Sequence, residues 1–159
     1  MSLKNRRPCF SIPLFLATAG FTGHIPLLAG TLASLEGVLL SLIVNSNPWL
    51  KAMVLIVALI SGTYLAGRVE KISGIKDNHS IVIDEIIGAI VATFFLPPRI
   101  WLWIFAFIAF RAFDWLKPFP IRRIEKLRGG IGIVADDVLA GLYSLGLIWG
   151  IIYCKKFCY

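Results

Sequence analysis

Five apolar stretches, each bounded by charged or turn-forming residues, constrain this chain more than any other feature. They fall near residues 26–45, 48–67, 81–96, 100–113 and 132–153. A bilayer core of about 30 Å needs roughly 20 apolar residues in a helix. The third and fourth stretches are shorter than that, and Pro97-Pro98 followed by Arg99 predicts a tight helical hairpin that need not cross the whole bilayer. Residues 10–23 are apolar but carry Pro13, Gly20 and Gly23, which reads as an interfacial or re-entrant helix. With 58% hydrophobic against 16% charged residues, the 159-residue chain is neither disordered nor a soluble globule with an ordinary polar surface. The expected fold is all-α, a polytopic membrane helical bundle of about four to five membrane helices plus a short interfacial N-terminal helix. No repeat or linker divides it, so 1–159 is read as a single membrane-embedded domain.

The net charge of +7 is what a nucleic-acid binder carries, but here apolar spans separate the basic residues. A juxtamembrane origin explains them, and no nucleic-acid partner is expected. With the N-terminus inside, one face collects Lys4, Arg6, Arg7, Arg68, Lys71, Lys76, Arg111, Lys117, Arg122, Arg123, Lys126 and Arg128. The other receives Lys51, Arg99, Lys155 and Lys156. Twelve against four places the N-terminus in the cytoplasm and the C-terminus outside. Trp49, Trp101, Trp103 and Trp149 then gather towards the far interface and Trp115 at the near one. Pro8 and Pro13 interrupt any signal-peptide core after Lys4, so the N-terminus is expected to be retained. Three cysteines without a CxxC pair exclude a zinc ribbon and a disulfide scaffold, and none has a visible base for nucleophilic work.

The acids carry the chemistry. Asp77, Asp84, Glu85, Asp114, Asp136 and Asp137 all stand at ends of the spans, and under this topology each of those ends is cytoplasmic. A carboxylate at membrane depth costs about 2.5–3.5 kcal/mol on insertion scales, so it needs a partner or a role. Several converging on one face repel each other unless a cation neutralises them. Oxygen-only donors point to a hard cation, Mg²⁺ before Ca²⁺. His24 and His79 stand at no ligand spacing that favours zinc. One adjacent acid pair alone would serve equally well as a helix start with arginine partners. Six acids near so few spans exceed what structural pairing needs.

Small and basic residues shape the same end. Gly30-Thr31 with Ser34 opens the first span, and Gly129-Gly130 with Gly132 precedes Asp136. Gly88 and Gly141 each follow an acid by about one helical turn, which allows close helix approach and convergence of acids from different helices. Arg111 lies three residues before Asp114, inside an apolar segment, and Lys117 follows just outside. An acid cluster with an embedded arginine is equipment for phosphate chemistry through a metal. For Arg122, Arg123, Lys126 and Arg128 the plainer reading is a polybasic loop that holds anionic headgroups.

Four segments carry a resemblance: Pro26-Leu-Leu-Ala-Gly-Thr-Leu-Ala-Ser-Leu35, Asp77-Asn-His-Ser-Ile-Val-Ile-Asp-Glu-Ile-Ile-Gly88, Phe110-Arg-Ala-Phe-Asp-Trp-Leu-Lys-Pro-Phe-Pro-Ile121 and Gly129-Gly-Ile-Gly-Ile-Val-Ala-Asp-Asp-Val-Leu-Ala-Gly141. In order and spacing they resemble the phosphatidylglycerophosphatase A family of bacterial inner-membrane lipid phosphatases. Ala33 departs from the glycine usual in that family's first motif. The resemblance implies Mg²⁺-dependent removal of the terminal phosphate from phosphatidylglycerophosphate, giving phosphatidylglycerol. It implies Asp84, Glu85, Asp114, Asp136 and Asp137 as catalytic and metal-binding acids, with Asp77 and Gly30 in support. Arg111, Lys117, Thr31, Ser34 and Gly130 are the expected phosphate-binding residues, in an active site facing the cytoplasm.

The rival class is a transporter or channel, because intramembrane acids also mark ion pathways. Its acids belong at mid-bilayer depth, whereas here they crowd one end. A lipid alcohol phosphotransferase is a third reading, but the DGxxAR-type run it needs is missing from this sequence.

Overall fold

The computed structural model describes residues 29–74, 81–127 and 129–157. The expected interfacial helix at 10–23, together with Asp77, His79, Lys76 and Arg128, lies outside them. Within the described residues every regular element is helical: α1 (Ala29–Ile43), α2 (Pro48–Ser73), α3 (Ile83–Ala92), α4 (Ile100–Leu116), α5 (Ile121–Ile124) and α6 (Gly130–Phe157).

Local chemistry sets the helix ends. The Asn47 side chain accepts from the backbone N–H groups of Trp49 and Leu50, and Pro48 occupies a first-turn position where no N–H is needed. At the other end of α2, Gly74 takes a left-handed φ of 67° and its N–H returns to the Glu70 carbonyl. Asp84 and Glu85 lie in the first turn of α3, where the positive end of the helix dipole favours anions. Lys117 ends α4 in a left-handed conformation, immediately before Pro118.

The short helix α3 is the centre of the bundle. It packs against α6 and α1 most extensively, then against α2 and α4, while α6 also lies along α4 and α2. Ile87, Gly88, Ala89, Ile90, Val91 and Ala92 are all buried. At ten residues α3 is about 15 Å long, half a bilayer core. The hairpin expectation therefore holds in outline: α3 and α4 are neighbours joined through the Pro97-Pro98 turn.

Two helices are long and apolar enough to cross a membrane, over Pro48–Ile72 and Gly130–Lys156. The apolar helix α1 is shorter. Much of the outer surface is apolar: Ile43, Met53, Ile56, Val57, Ile60, Phe105, Ile108, Leu147 and Ile151 are exposed. A belt of this size needs lipid or another apolar cover.

One tryptophan departs from the expected interfacial belt. Trp103 is 2% exposed, packed with Leu96, Leu102, Ala106 and Ile148, and its indole N–H donates to the Pro97 carbonyl at 2.9 Å. The prolines bend the chain back over the ring and supply that acceptor. Beside it, Lys51 is also buried rather than at an open face. Its ammonium donates to Asn45 Oδ1 and to the Thr93 carbonyl at the C-terminal end of α3, and lies over the Trp103 ring. That is the negative end of the helix dipole.

Candidate active site

The N-terminal ends of α1, α3 and α6 meet the C-terminal end of α4, and glycines let them do so. At Gly88 an added Cβ would strike the Phe110 ring of α4 and the Asp137 carbonyl of α6. Gly141, four residues after Asp137, faces the Gly88 carbonyl and Val91 in the same way. The α3–α6 backbones therefore touch one turn beyond the two acids, which brings Asp84 and Asp137 together. On the other side, Gly30 in the first turn of α1 abuts Glu85 Oε1 and both terminal nitrogens of Arg111.

Asp84, Glu85 and Asp137 each offer a carboxylate oxygen within 4.8 Å of the others. Asp84 and Asp137 are buried, and Glu85 is half-buried. Asp84 Oδ1 and Glu85 Oε2 are buried without a hydrogen-bond partner. An orphaned buried oxygen costs about 1–3 kcal/mol, more when charged, so the group is incomplete without protons or a cation. Three hard oxygen donors fit a divalent ion such as Mg²⁺ in donor chemistry.

The remaining predicted acids among the described residues, Asp114 and Asp136, are engaged by basic side chains. Arg111 pairs with Asp114 at 2.9 Å, and its Nη1 also donates to Ser34 Oγ at 3.4 Å. Ser34 is fully buried, and its hydroxyl donates to the Gly30 carbonyl at 2.6 Å, tying the first turn of α1 to the guanidinium. Lys117 Nζ contacts Asp136 Oδ2 at 2.8 Å and Glu125 Oε1 at 3.2 Å. Burial alone would lower the Lys117 pKa, but hydrogen bonds to and charges on Asp136 and Glu125 push it above the ordinary lysine range. The ammonium keeps its proton throughout the physiological range.

Thr31 is exposed on the first turn of α1. Gly130 opens α6 and rests directly on α2, where a Cβ would collide with the Thr63 carbonyl and crowd Gly67. The space beside Gly130 is thus filled by α2 backbone. Gly132 lies within the first turn of α6 against the Leu127 carbonyl. Asp77 lies outside the described residues.

Sequence reasoning passed over Glu125. It stands in the run Arg122-Arg123-Ile124-Glu125-Lys126, where the surrounding positive charge reads as a polybasic loop that holds anionic headgroups. The available signal was the single acid in that basic run.

The arrangement has the parts for handling a phosphoryl group: a three-carboxylate cluster with unused oxygens, flanked by a guanidinium and an ammonium. Comparison with known proteins agrees with it. A model of the family described as phosphatidylglycerophosphatase A matches residues 15–152. The chain is 40% identical to phosphatidylglycerophosphatase A of Haemophilus influenzae over 146 residues, 89% of this chain and 90% of that protein. It is 37% identical to the Escherichia coli protein of the same name over 143 residues, 87% and 83% of the two chains. A Bacteroides thetaiotaomicron protein named as a putative phosphatidylinositol-3-phosphatase is 34% identical over 152 residues, 90% and 94%. No solved structure matches the chain. Matches of this extent, over the helices that build the site, assign the chain to the phosphatidylglycerophosphatase A family.

Proposed function

We propose that the chain hydrolyses phosphatidylglycerophosphate to phosphatidylglycerol and inorganic phosphate, using Mg²⁺ at the Asp84–Glu85–Asp137 cluster. The observation that carries this reading is the pair of orphaned buried oxygens, on Asp84 and Glu85, beside Asp137. Family membership supports the reaction class and lipid. The relatives' names share one chemistry, a phosphomonoester on a phospholipid headgroup.

In this reading Asp84, Glu85 and Asp137 hold the ion, with Asp114 and Asp136 close by through their cationic partners. The bound ion supplies charge neutralisation for the phosphate and its transfer. Arg111 offers a planar pair of N–H donors to phosphate oxygens, and Lys117 a compact positive charge. Ser34 and Gly30 fix the guanidinium; Thr31, exposed on the same turn, is available to the headgroup. The nucleophile is water, one carboxylate of the site takes its proton as the new P–O bond forms, and that proton returns through solvent to the lipid alkoxide as the old P–O bond breaks. Acid-stable phosphate trapped on the denatured protein, and lost in a single Asp→Asn variant, would replace water by an aspartate.

The membrane arrangement belongs to the same proposal. The helices α1, α2, α4 and α6 cross or line the bacterial inner membrane, and α3 reaches half-way. The acidic end faces the cytoplasm, which the twelve-to-four distribution of basic residues supports. Acids gathered at one end of a bundle favour catalysis at an interface over transport through it.

Phosphate release from phosphatidylglycerophosphate by the detergent-purified protein tests the reading. Release is expected with Mg²⁺ and not with EDTA, and Asp84→Asn or Asp137→Asn should lower it by at least about 100-fold, the scale of removing a main charge-stabilising group. No release from folded wild-type protein under either condition would overturn the reading.

A further inference from the structure

Lys117 is held both by its backbone conformation and by two carboxylate partners. Its φ of 42° makes it the one non-glycine with positive φ among the described residues, a conformation that the surroundings must impose. Those surroundings are on hand. Its backbone N–H donates to the Phe113 carbonyl at 2.8 Å. The fully buried Ile121 pins the next turn, and the Tyr143 hydroxyl donates to the Phe119 carbonyl at 3.1 Å. The segment thereby aims one ammonium between two carboxylates of unequal character. Asp136 is close, at 2.8 Å, with a side chain 8% exposed; Glu125 is longer, at 3.2 Å, and 36% exposed.

Resting on the phosphatase reading above, we infer that Glu125 is a positioning residue, an exchangeable counter-ion that holds Lys117 at the site and yields it to phosphate. A phosphate dianion carries more charge and more acceptor oxygens than the carboxylate it displaces. Glu125, half-exposed, regains water when released, so breaking its pair costs little. Asp136, with a side chain 8% exposed, regains little water when parted from Lys117, so breaking that pair costs more. The exchange therefore falls on Glu125. The same competition weakens substrate and product binding together and helps inorganic phosphate to leave.

Glu125→Gln keeps the shape and removes the charge. Its KM for phosphatidylglycerophosphate and its inhibition constant for inorganic phosphate should both fall about two- to five-fold, the range in which one half-exposed ion pair moves an equilibrium. Glu125→Asp, charged but shorter, should shift both in the same direction by less. A merely structural Glu125 would lower kcat or thermal stability and leave phosphate inhibition unchanged. An unchanged or raised inhibition constant in folded Glu125→Gln overturns the proposal. If that variant does not fold, an unchanged constant in Glu125→Asp does so. Calorimetric titration with inorganic phosphate, with Mg²⁺ present, reads the same exchange without turnover. Wild-type protein that releases no phosphate defeats the phosphatase reading instead, and the titration still decides the role of Glu125.

Discussion

Gly30 shows how much of the site depends on an atom that is not there. A Cβ at this position would lie 2.5 Å from Glu85 Oε1 and 3.1 Å from Arg111 Nη2. Both are the far ends of flexible side chains, so the helix can survive the change by pushing them aside. Gly30→Ala should therefore lower kcat/KM by about tenfold or more, since 1.4 kcal/mol of misplacement is enough for that. Thermal unfolding in detergent should move little, because alanine suits a helix better than glycine. A variant that loses stability but keeps wild-type kcat/KM per folded molecule would show that Gly30 serves packing alone. At this scale the sequence was partly legible. The acids and Arg111 stand out as charges in apolar runs, but not which acid faces a cation and which faces other acids. Asp136 and Asp137 are adjacent in sequence, yet a helix turns neighbouring side chains about 100° apart. One reaches Lys117 while the other joins Asp84 and Glu85.

Among the elements, α3 and α6 share the most extensive contact, and Gly141 is where a side chain would part them. Its Cβ would land on the Gly88 carbonyl and 3.1 Å from Val91 Cβ. A backbone carbonyl cannot rotate away as a side chain can. Gly141→Ala should destabilise the fold by about 1–3 kcal/mol, the usual cost of overpacking. Gly146, on the same helix with nothing within 4 Å of its position, provides the control. Gly146→Ala should be neutral or slightly stabilising by denaturant titration in detergent, and equal effects at the two sites would remove the argument. The elements were the most legible level. Apolar runs fix where helices lie, and Asn47-Pro48 and Gly74 mark the two ends of α2. The burial of Trp103 and Lys51 was not legible, because it follows from how the Pro97-Pro98 turn folds one helix over another. Glu125 was hidden for the same reason: its partner lies eight residues back, across a turn.

For the whole molecule, the central fact is that a short enclosed helix keeps its acids at one end. Asp84 and the Thr93 carbonyl that receives Lys51 are separated along α3 by about 14 Å of helix. Ile87, Ala89, Ile90, Val91 and Ala92 fill that interval and are buried. Beyond it, Leu96, Leu102, Trp103 and Ile148 close the bundle. Charge is thus handled at one end, while the other is plugged by hydrocarbon and by an ammonium that repels cations. In the proposed membrane orientation, this buried apolar interval along α3 separates the acids from the opposite face and predicts that the protein does not conduct ions. Sealed vesicles carrying it at active density should hold a proton gradient as long as protein-free vesicles do, with or without Mg²⁺, when followed by a pH-sensitive dye. A leak that disappears in Asp84→Asn would instead reveal a conducting path through the bundle. Vesicles that hold their gradient would make the buried apolar stretch of α3 the reason an energised membrane can host a cluster of acids without a leak.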